Sequence, residues 1–374
     1  MKVVLITEIV SPYRIPVFNE IAKNDQIDFK VLLLSEGVPD RSWRIQKEKI
    51  KFQYQILGGI RIPLPNRFPI FFNPRIYSWL KAENPDLIIC GGYHHPSDLL
   101  ALRYAKKYGK RFILWCESHD GSVGLKGFPF NLYRNYFIHS SDAFLVPGKK
   151  SFKFIRGFGI NGKTICVAPN AVDNNLFSCP PDQIHLQKLR NKFPHHVILY
   201  VGRLVDLKGI LTLLEAFRDV SMVVEGGLVL VGEGKDRQKY QDFCSRSALK
   251  NVFFEGFKQQ EELPYYYKTA DLFVLPSYRE EWGLVLNEAA ASGLPLIATD
   301  ASGAAFDLID ESKNGYRVPT GNVQALRAAI LKILTDPGLK KSMGVYSRKK
   351  ADEFSPKKCA EGFLHAIFDR GNGS

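Results

Sequence analysis

The chain lacks any unbroken apolar run approaching the roughly twenty residues a membrane-spanning helix needs, which excludes an integral helical membrane protein. It lacks a signal-peptide layout as well. Met1-Lys2-Val3-Val4-Leu5-Ile6-Thr7-Glu8 sets an acid directly after one short apolar strand. Cysteine is sparse, with six in 374 residues, and Cys90, Cys116, Cys166, Cys179, Cys244 and Cys359 are scattered. None has zinc or redox spacing, so a zinc fold and a dithiol oxidoreductase are excluded. The cysteines read as reduced, buried thiols of a cytoplasmic protein. Gly232-Glu233-Gly234 does not have the G-x-G-x-x-G spacing and marks only a tight turn.

What is present is a globular composition, 45% apolar and 24% charged, long enough for two ordinary domains. The net charge of +13 is unevenly placed. Residues 1–175 hold 25 Lys/Arg against 14 Asp/Glu, and residues 176–374 hold 26 against 24. An excess confined to one half suits an anionic lipid surface, a phosphorylated acceptor, nucleic acid or simple solubility. Between residues 120 and 160 aromatics alternate with bases, among them Lys126, Phe128, Phe130, Arg134, Tyr136, Lys153 and Arg156. That mixture fits a membrane interface or two ordinary amphipathic helices. No nucleic-acid motif accompanies it, so no nucleic-acid partner is expected.

Along the chain, short apolar strands alternate with helical stretches. Val3–Ile6, Phe29–Leu34, Asp86–Gly92, Arg111–Glu117 and Ala143–Pro147 read as strands of one parallel sheet, and residues 40–75, with Pro63, Pro65, Pro69 and Pro74, as edge strands and loops. A polar stretch to Pro194 separates a second series that starts at His196–Gly202, with a helix read over Lys208 to Val220. The expected architecture is α/β, two Rossmann-like domains facing each other across a cleft. Residues 1–172 form the acceptor-binding domain and 173–352 the donor-binding domain. Residues 353–374 form a terminal helix packing back on the first.

The most informative stretch is Arg279 to Gly293, between the strands Asp271–Ser277 and Leu294–Thr299. Strand, polar loop, helix, glycine stop and strand make one βαβ unit, whose ligands lie at the carboxyl ends of the strands. The Gly283, Leu284 and Val285 amides, at a helix N-terminus, form an anion site. Glu280 precedes the helix and Glu288 lies inside it. A carboxylate beside an anion needs another partner, and sugar or ribose hydroxyls suit it. Arg203 and Lys208 follow the first strand of this half and read as a diphosphate clamp without a metal. In the first half His119 and Asp120 end a strand, and His119 is a candidate contact to a reacting hydroxyl.

Taken together, these features resemble glycosyltransferase family 4, with the GT-B fold. The resemblance rests on Val201-Gly202-Arg203-Leu204 with Lys208-Gly209, on Val231-Gly232-Glu233-Gly234 and on Leu275-Pro276-Ser277. It rests further on Glu280 to Glu288 as a Glu-x7-Glu pair and on Pro169-Asn170-Ala171-Val172-Asp173 as the linker turn. It implies that Arg203 and Lys208 hold the donor diphosphate, Glu280 orients the transferred sugar and Glu288 takes the ribose hydroxyls. It also implies that His119 contacts the donor sugar and that the base lies near Gly256-Phe257-Lys258.

The implied reaction retains configuration, uses a UDP- or GDP-sugar as substrate, and needs no cofactor or metal. The basic, aromatic N-terminal half points to a glycan or lipid-linked acceptor in surface polysaccharide or glycoconjugate synthesis, reached from the cytoplasm, peripherally at the inner membrane face. A nucleotide-sugar epimerase and a non-catalytic partner subunit are the alternatives. Three departures stand out. Glu281 and Trp282 replace a usual Gly and Phe, a change that would reshape the sugar pocket. Asp307 replaces a common Glu. Ser11-Pro12-Tyr13-Arg14 replaces a Gly-Gly loop. Proline and tyrosine keep phosphate from the backbone, which leaves the Tyr13 and Arg14 side chains to contact donor or acceptor.

Overall fold

Strands buried on both faces need near-continuous apolar runs, and such runs build two parallel sheets in the computed structural model. It describes residues 1–37, 43–64, 69–124, 127–179 and 182–369. Pro65 and Lys126, singled out above, lie outside the described residues. The chain divides into two units, Met1–Ala171 with Pro356–Ser374, and Val172–Ser355.

The first unit is built on β1 (Lys2–Thr7), β2 (Asp28–Leu33), β3 (Gln53–Ile56), an antiparallel pair β4 (Ile60–Ile62) and β5 (Ile70–Phe72), then β6 (Leu87–Cys90), β7 (Arg111–Trp115), β8 (Ala143–Val146) and β9 (Ile165–Val167). Seven strands pair in parallel in the order β3-β2-β1-β6-β7-β8-β9. The helices are α1 (Arg14–Ala22), α2 (Ile76–Glu83), α3 (Pro96–Lys107), α4 (Phe128–Ser140) and α5 (Lys149–Arg156).

The second unit starts with α6 (Asn174–Ser178) and α7 (Gln183–Arg190). It continues with β10 (His196–Val201), α8 (Ile210–Ser221), β11 (Gly226–Val231), α9 (Arg237–Arg246), β12 (Val252–Gly256), α10 (Leu263–Thr269), β13 (Leu272–Leu275), α11 (Leu284–Ala291), β14 (Leu296–Thr299), α12 (Ala305–Leu308) and β15 (Gly315–Val318). It ends with α13 (Val323–Leu334) and α14 (Pro337–Ala351). Its six strands are all parallel, in the order β12-β11-β10-β13-β14-β15. In both sheets the order reverses beside the first strand, at β1/β6 and at β10/β13. A doubly wound sheet opens its ligand crevice at such a reversal.

The last helix, α15 (Pro356–Phe368), belongs to the first unit. Strand alternation splits that unit's core into two layers. Val3, Leu5, Ile89 and Leu145 face Phe18 and Ile21 of α1 and Phe363 and Ile367 of α15. Val4, Ile6, Ile88 and Phe144 face Leu80, Leu102, Phe137 and Ile155 of α2 to α5. Arg111 ties the end of α15 down by donating to the Ile367 carbonyl at 2.8 Å. No helix among the described residues is long and apolar enough to cross a membrane. Five cysteines are buried thiols; Cys179 is exposed, against the reading of all six as buried.

One boundary differs in a way that matters below. The helix read from Lys208 starts only at Ile210. Asp206–Lys208 is a separate single 3-10 turn, closed by Gly209 at φ 67°. A Cβ on Gly209 would stand 2.0 Å from the Pro276 carbonyl oxygen, so only glycine lets this turn press on the end of β13. We expect Gly209→Ala to lower stability by about 2–4 kcal/mol, from positive-φ strain plus the clash, read as the urea midpoint. An unchanged midpoint would mean the turn does not sit against Pro276.

Candidate active site

In the second unit the loops after β10 and β13 leave adjacent strands at the reversal of the sheet. Each loop is held by bonds the sequence did not announce. After β10, the Tyr200 hydroxyl donates to the Arg203 carbonyl at 2.8 Å. Burial first, and then the charge of Glu280, push the Tyr200 phenol well above its ordinary range, so it remains a donor. The Asp206 amide donates to Asp236 Oδ2 at 2.9 Å. The Asp206 carboxylate accepts from Lys239 at 2.7 Å, the contact that most lowers its pKa. After β13, the Tyr278 amide donates to the Leu207 carbonyl at 2.9 Å, and its hydroxyl shares a 2.6 Å bond with Thr212 of α8. The two loops are thus fastened to each other by main chain and side chain.

On that frame Lys208 donates to Glu280 Oε2 in an ion pair, and each side chain is only 16% exposed. Ser277 Oγ lies 3.5 Å from the same carboxylate oxygen. Glu280 also bridges through its backbone to Ser302. Gly283, at φ 100°, caps α11, and the first amides of that helix, Leu284 and Val285 among them, have no acceptor within the helix. The fold therefore brings Lys208, Glu280 and the α11 N-terminus to one place. Arg203 is exposed on the β10 loop.

Glu288 lies deeper. It is fully buried in α11 and accepts from the hydroxyl of Tyr267 at 2.6 Å. Tyr267, itself buried, also packs its ring edge-on against Phe177, with centroids 5.7 Å apart. Lys258 follows β12, two strands from β10, with its ammonium 5.7 Å from the Tyr266 ring centroid. Trp282, expected to reshape a sugar pocket, turns inward instead. It is 4% exposed, and its indole N–H donates to Asn287 at 2.9 Å.

In the first unit His119 lies in the loop that follows β7 and is buried. Its Nδ1 accepts the Gly121 amide at 3.2 Å, which leaves the ring proton of the neutral form on Nε2. Tyr13 caps α1 and meets Trp43 edge-on, with centroids 6.0 Å apart. Arg14 is engaged inside this unit. It pairs with Glu117, donates to Asn170 at 2.9 Å and lies 4.2 Å over the Trp115 ring. His95 bonds Glu8 through Nε2 at 2.8 Å and accepts the Phe71 amide through Nδ1 at 3.2 Å. Among the described residues the one group with metal-ligand geometry is Cys166, His365 and Asp369, beside α15 and sharing no residue with those above.

Sequence reasoning missed Tyr200, Tyr267, Tyr278 and Glu117. The tyrosines sit in ordinary apolar or turn contexts, and Glu117 stands 103 residues from its partner Arg14.

Two family models divide the chain between them. Residues 26–176 match "Glycosyltransferase Family 4" and residues 183–350 match "Glycosyl transferases group 1". An uncharacterized glycosyltransferase of Methanocaldococcus jannaschii is 28% identical over 235 residues, 60% of this chain and 65% of that protein. D-inositol 3-phosphate glycosyltransferase of Corynebacterium jeikeium is 30% identical over 228 residues, 58% of this chain and 54% of the relative. The matched stretch thus spans less than two thirds of either relative's length.

Among solved structures, HepE of Anabaena with UDP and glucose superposes with TM-score 0.77 at 18% identity, covering 98% of this chain and 99% of that one. Sucrose-phosphate synthase of Thermosynechococcus elongatus gives 0.76 at 19% identity, covering 98% of each. At such identities the likeness defines the fold: two Rossmann-like domains of the GT-B class. With family models matched in both halves, the chain belongs to glycosyltransferase family 4.

Tyr267→Phe keeps the ring but removes the donor to a buried carboxyl. We expect a loss of about 1.5–3 kcal/mol, the range for a hydrogen bond to a chargeable partner, in urea unfolding. A midpoint equal to that of the parent would show that Tyr267 does not support Glu288.

Proposed function

We propose that this chain is a retaining glycosyltransferase that moves a sugar from a UDP- or GDP-sugar to a glycan or lipid-linked acceptor in surface polysaccharide or glycoconjugate synthesis. The observation that carries the reading is the Lys208–Glu280 pair at the sheet reversal, beside the N-terminus of α11. A cation, a carboxylate and helix amides in one place match the two ends of a nucleotide sugar. Its diphosphate needs positive charge, and its sugar offers hydroxyl donors. HepE, with UDP and glucose bound, supports a nucleotide-sugar donor by analogy of fold.

The chemistry assigned to these residues is positional and electrostatic. Lys208, Arg203 and the α11 amides stabilise the charge that develops on the departing diphosphate, a role that asks for no metal. Glu280, turning from Lys208 to the substrate, accepts two sugar hydroxyls and fixes the ring. Glu288 with Tyr267 is assigned to the ribose and Lys258 to the base. His119, with its proton on Nε2, is assigned a hydrogen bond to a substrate hydroxyl. The acceptor hydroxyl forms the new glycosidic bond on the face the diphosphate leaves. Its proton passes to the departing phosphate oxygen, so no side-chain base is used. Tyr13 is assigned to the acceptor; Arg14 is assigned to shaping that loop through Glu117 and Trp115. Buried thiols and exposed aromatics on α4 support a cytoplasmic protein peripheral to the inner membrane face.

The test is a panel of nucleotide sugars without added metal, read by thermal shift and by transfer. One donor should raise the melting temperature. With it, Lys208→Ala and Glu280→Gln should each lower kcat by about a hundredfold or more, the scale for losing one preorganised electrostatic contact. The product should keep the donor's anomeric configuration by NMR. Transfer intact in both variants would remove the site assignment, and an inverted product would remove retention.

A further inference from the structure

β9 is the last strand of the first unit's sheet, and α15 packs against it after the chain has returned from the second unit. Cys166 is the central residue of β9 and is buried. Its Sγ lies 3.1 Å from Nδ1 of His365 on α15, 199 residues away in sequence. Asp369 comes one helical turn after His365. Its amide donates to the His365 carbonyl at 2.8 Å, which continues the helical ladder and keeps both side chains on one face. The sulfur, the imidazole nitrogen and a carboxylate oxygen lie within 4.8 Å of one another. His365 is exposed and Asp369 half-buried, so the cluster has a path from water.

A thiol against an imidazole is by itself an ordinary buried contact. The carboxylate at the same spot makes it a ligand set. Thiolate sulfur, imidazole nitrogen and carboxylate oxygen are the donors that zinc takes. Magnesium and calcium take oxygen, so the sulfur selects against them. Tetrahedral zinc, with bonds of about 2.3 Å to sulfur and about 2.0 Å to nitrogen, sets those two atoms roughly 3.5 Å apart. A small outward shift of the exposed His365 ring and an inward turn of Asp369 therefore complete the site. The backbones that carry the ligands are fixed. β9 is paired to β8, and Arg111 donates to the carbonyl oxygens of Ile367 and Asp369 at the end of α15. The thiolate and the carboxylate balance the two charges of the ion, and the thiol proton leaves to water as the ion binds. Three protein ligands leave the fourth tetrahedral position to a water. The three residues are far apart in sequence, so no local cysteine spacing announces them.

We infer that Cys166, His365 and Asp369 form a zinc-class metal site that fastens α15 to the edge of the first unit's sheet. The site shares no residue with Lys208, Glu280 or α11, and it does not rest on the transferase reading. Its ion holds a helix in place and has no part in sugar transfer.

The test titrates the full chain, reduced and dialysed free of metal, with zinc against a chromophoric chelator and with cobalt(II) as a spectroscopic probe. The parent should take up one zinc per chain, and saturating zinc should raise the urea midpoint, because the unfolded chain has no such site. Cobalt should give the intense near-ultraviolet band of a thiolate ligand. His365→Gln, at an exposed position, should leave the metal-free midpoint unchanged. It should weaken zinc by about a hundredfold or more, beyond the range for losing only an outer partner of a ligand. Cys166→Ser should abolish the cobalt band, and Asp369→Asn should weaken zinc as well. Cys179→Ser, which removes the exposed thiol, should change neither zinc affinity nor the band. A band that persists in Cys166→Ser, or parent-like zinc affinity in His365→Gln or Asp369→Asn, overturns the site and leaves an adventitious ion only. A parent that binds no zinc, or whose urea midpoint zinc does not move, overturns it equally.

Discussion

A lysine and a glutamate on neighbouring loops, seventy-two residues apart in sequence, form one ion pair because a parallel sheet reverses its strand order between them. At that reversal the loops after β10 and β13 diverge to opposite faces, and a crevice opens at their root. Left alone, such loops would move independently. Here the Tyr278 amide and hydroxyl, the Asp206 contacts and Gly209 against Pro276 fix one to the other. The pair is mostly buried and its two charges balance. A substrate with an anion at one end and hydroxyls at the other can take over each half of the pair.

The two units use the same sheet logic with different loops. In the second, the reversal is furnished with charges and a bare helix end. In the first, the loop after β1 is closed by Arg14, which stacks on Trp115 and binds Glu117 and Asn170. Where a Gly-Gly pair would offer backbone to a phosphate, this chain has built a side-chain clasp within its own unit. Positive charge appears instead along α4 and α5, which agrees with the excess of lysine and arginine in residues 1–175.

Much of this was legible in the sequence because the relevant signals are local. The apolar runs define buried parallel strands, and Glu280 to Glu288 with Gly283 defines a loop and a helix start. Lys208 and Arg203 follow a strand directly, so their place at its carboxyl end follows from topology. What was not legible depends on long-range contacts. The helix read from Lys208 fails because Gly209 meets Pro276, 67 residues on. Nothing in the local pattern shows that Asn287 partners the Trp282 indole. Tyr267 carries no pattern that distinguishes it from any core tyrosine, yet it holds Glu288. The stretch of alternating bases and aromatics divided: Phe137 and Phe154 went to the core, and Phe128, Leu132 and Tyr136 to the surface.

The most direct test of the central claim is amide hydrogen exchange across the whole chain, with and without UDP or GDP. The account predicts that one of the two slows exchange at Gly283, Leu284 and Val285 and in the Arg203–Gly209 loop, and that Lys208→Ala loses this protection. Protection confined to other segments, with these amides exchanging as in the unliganded protein, would contradict it.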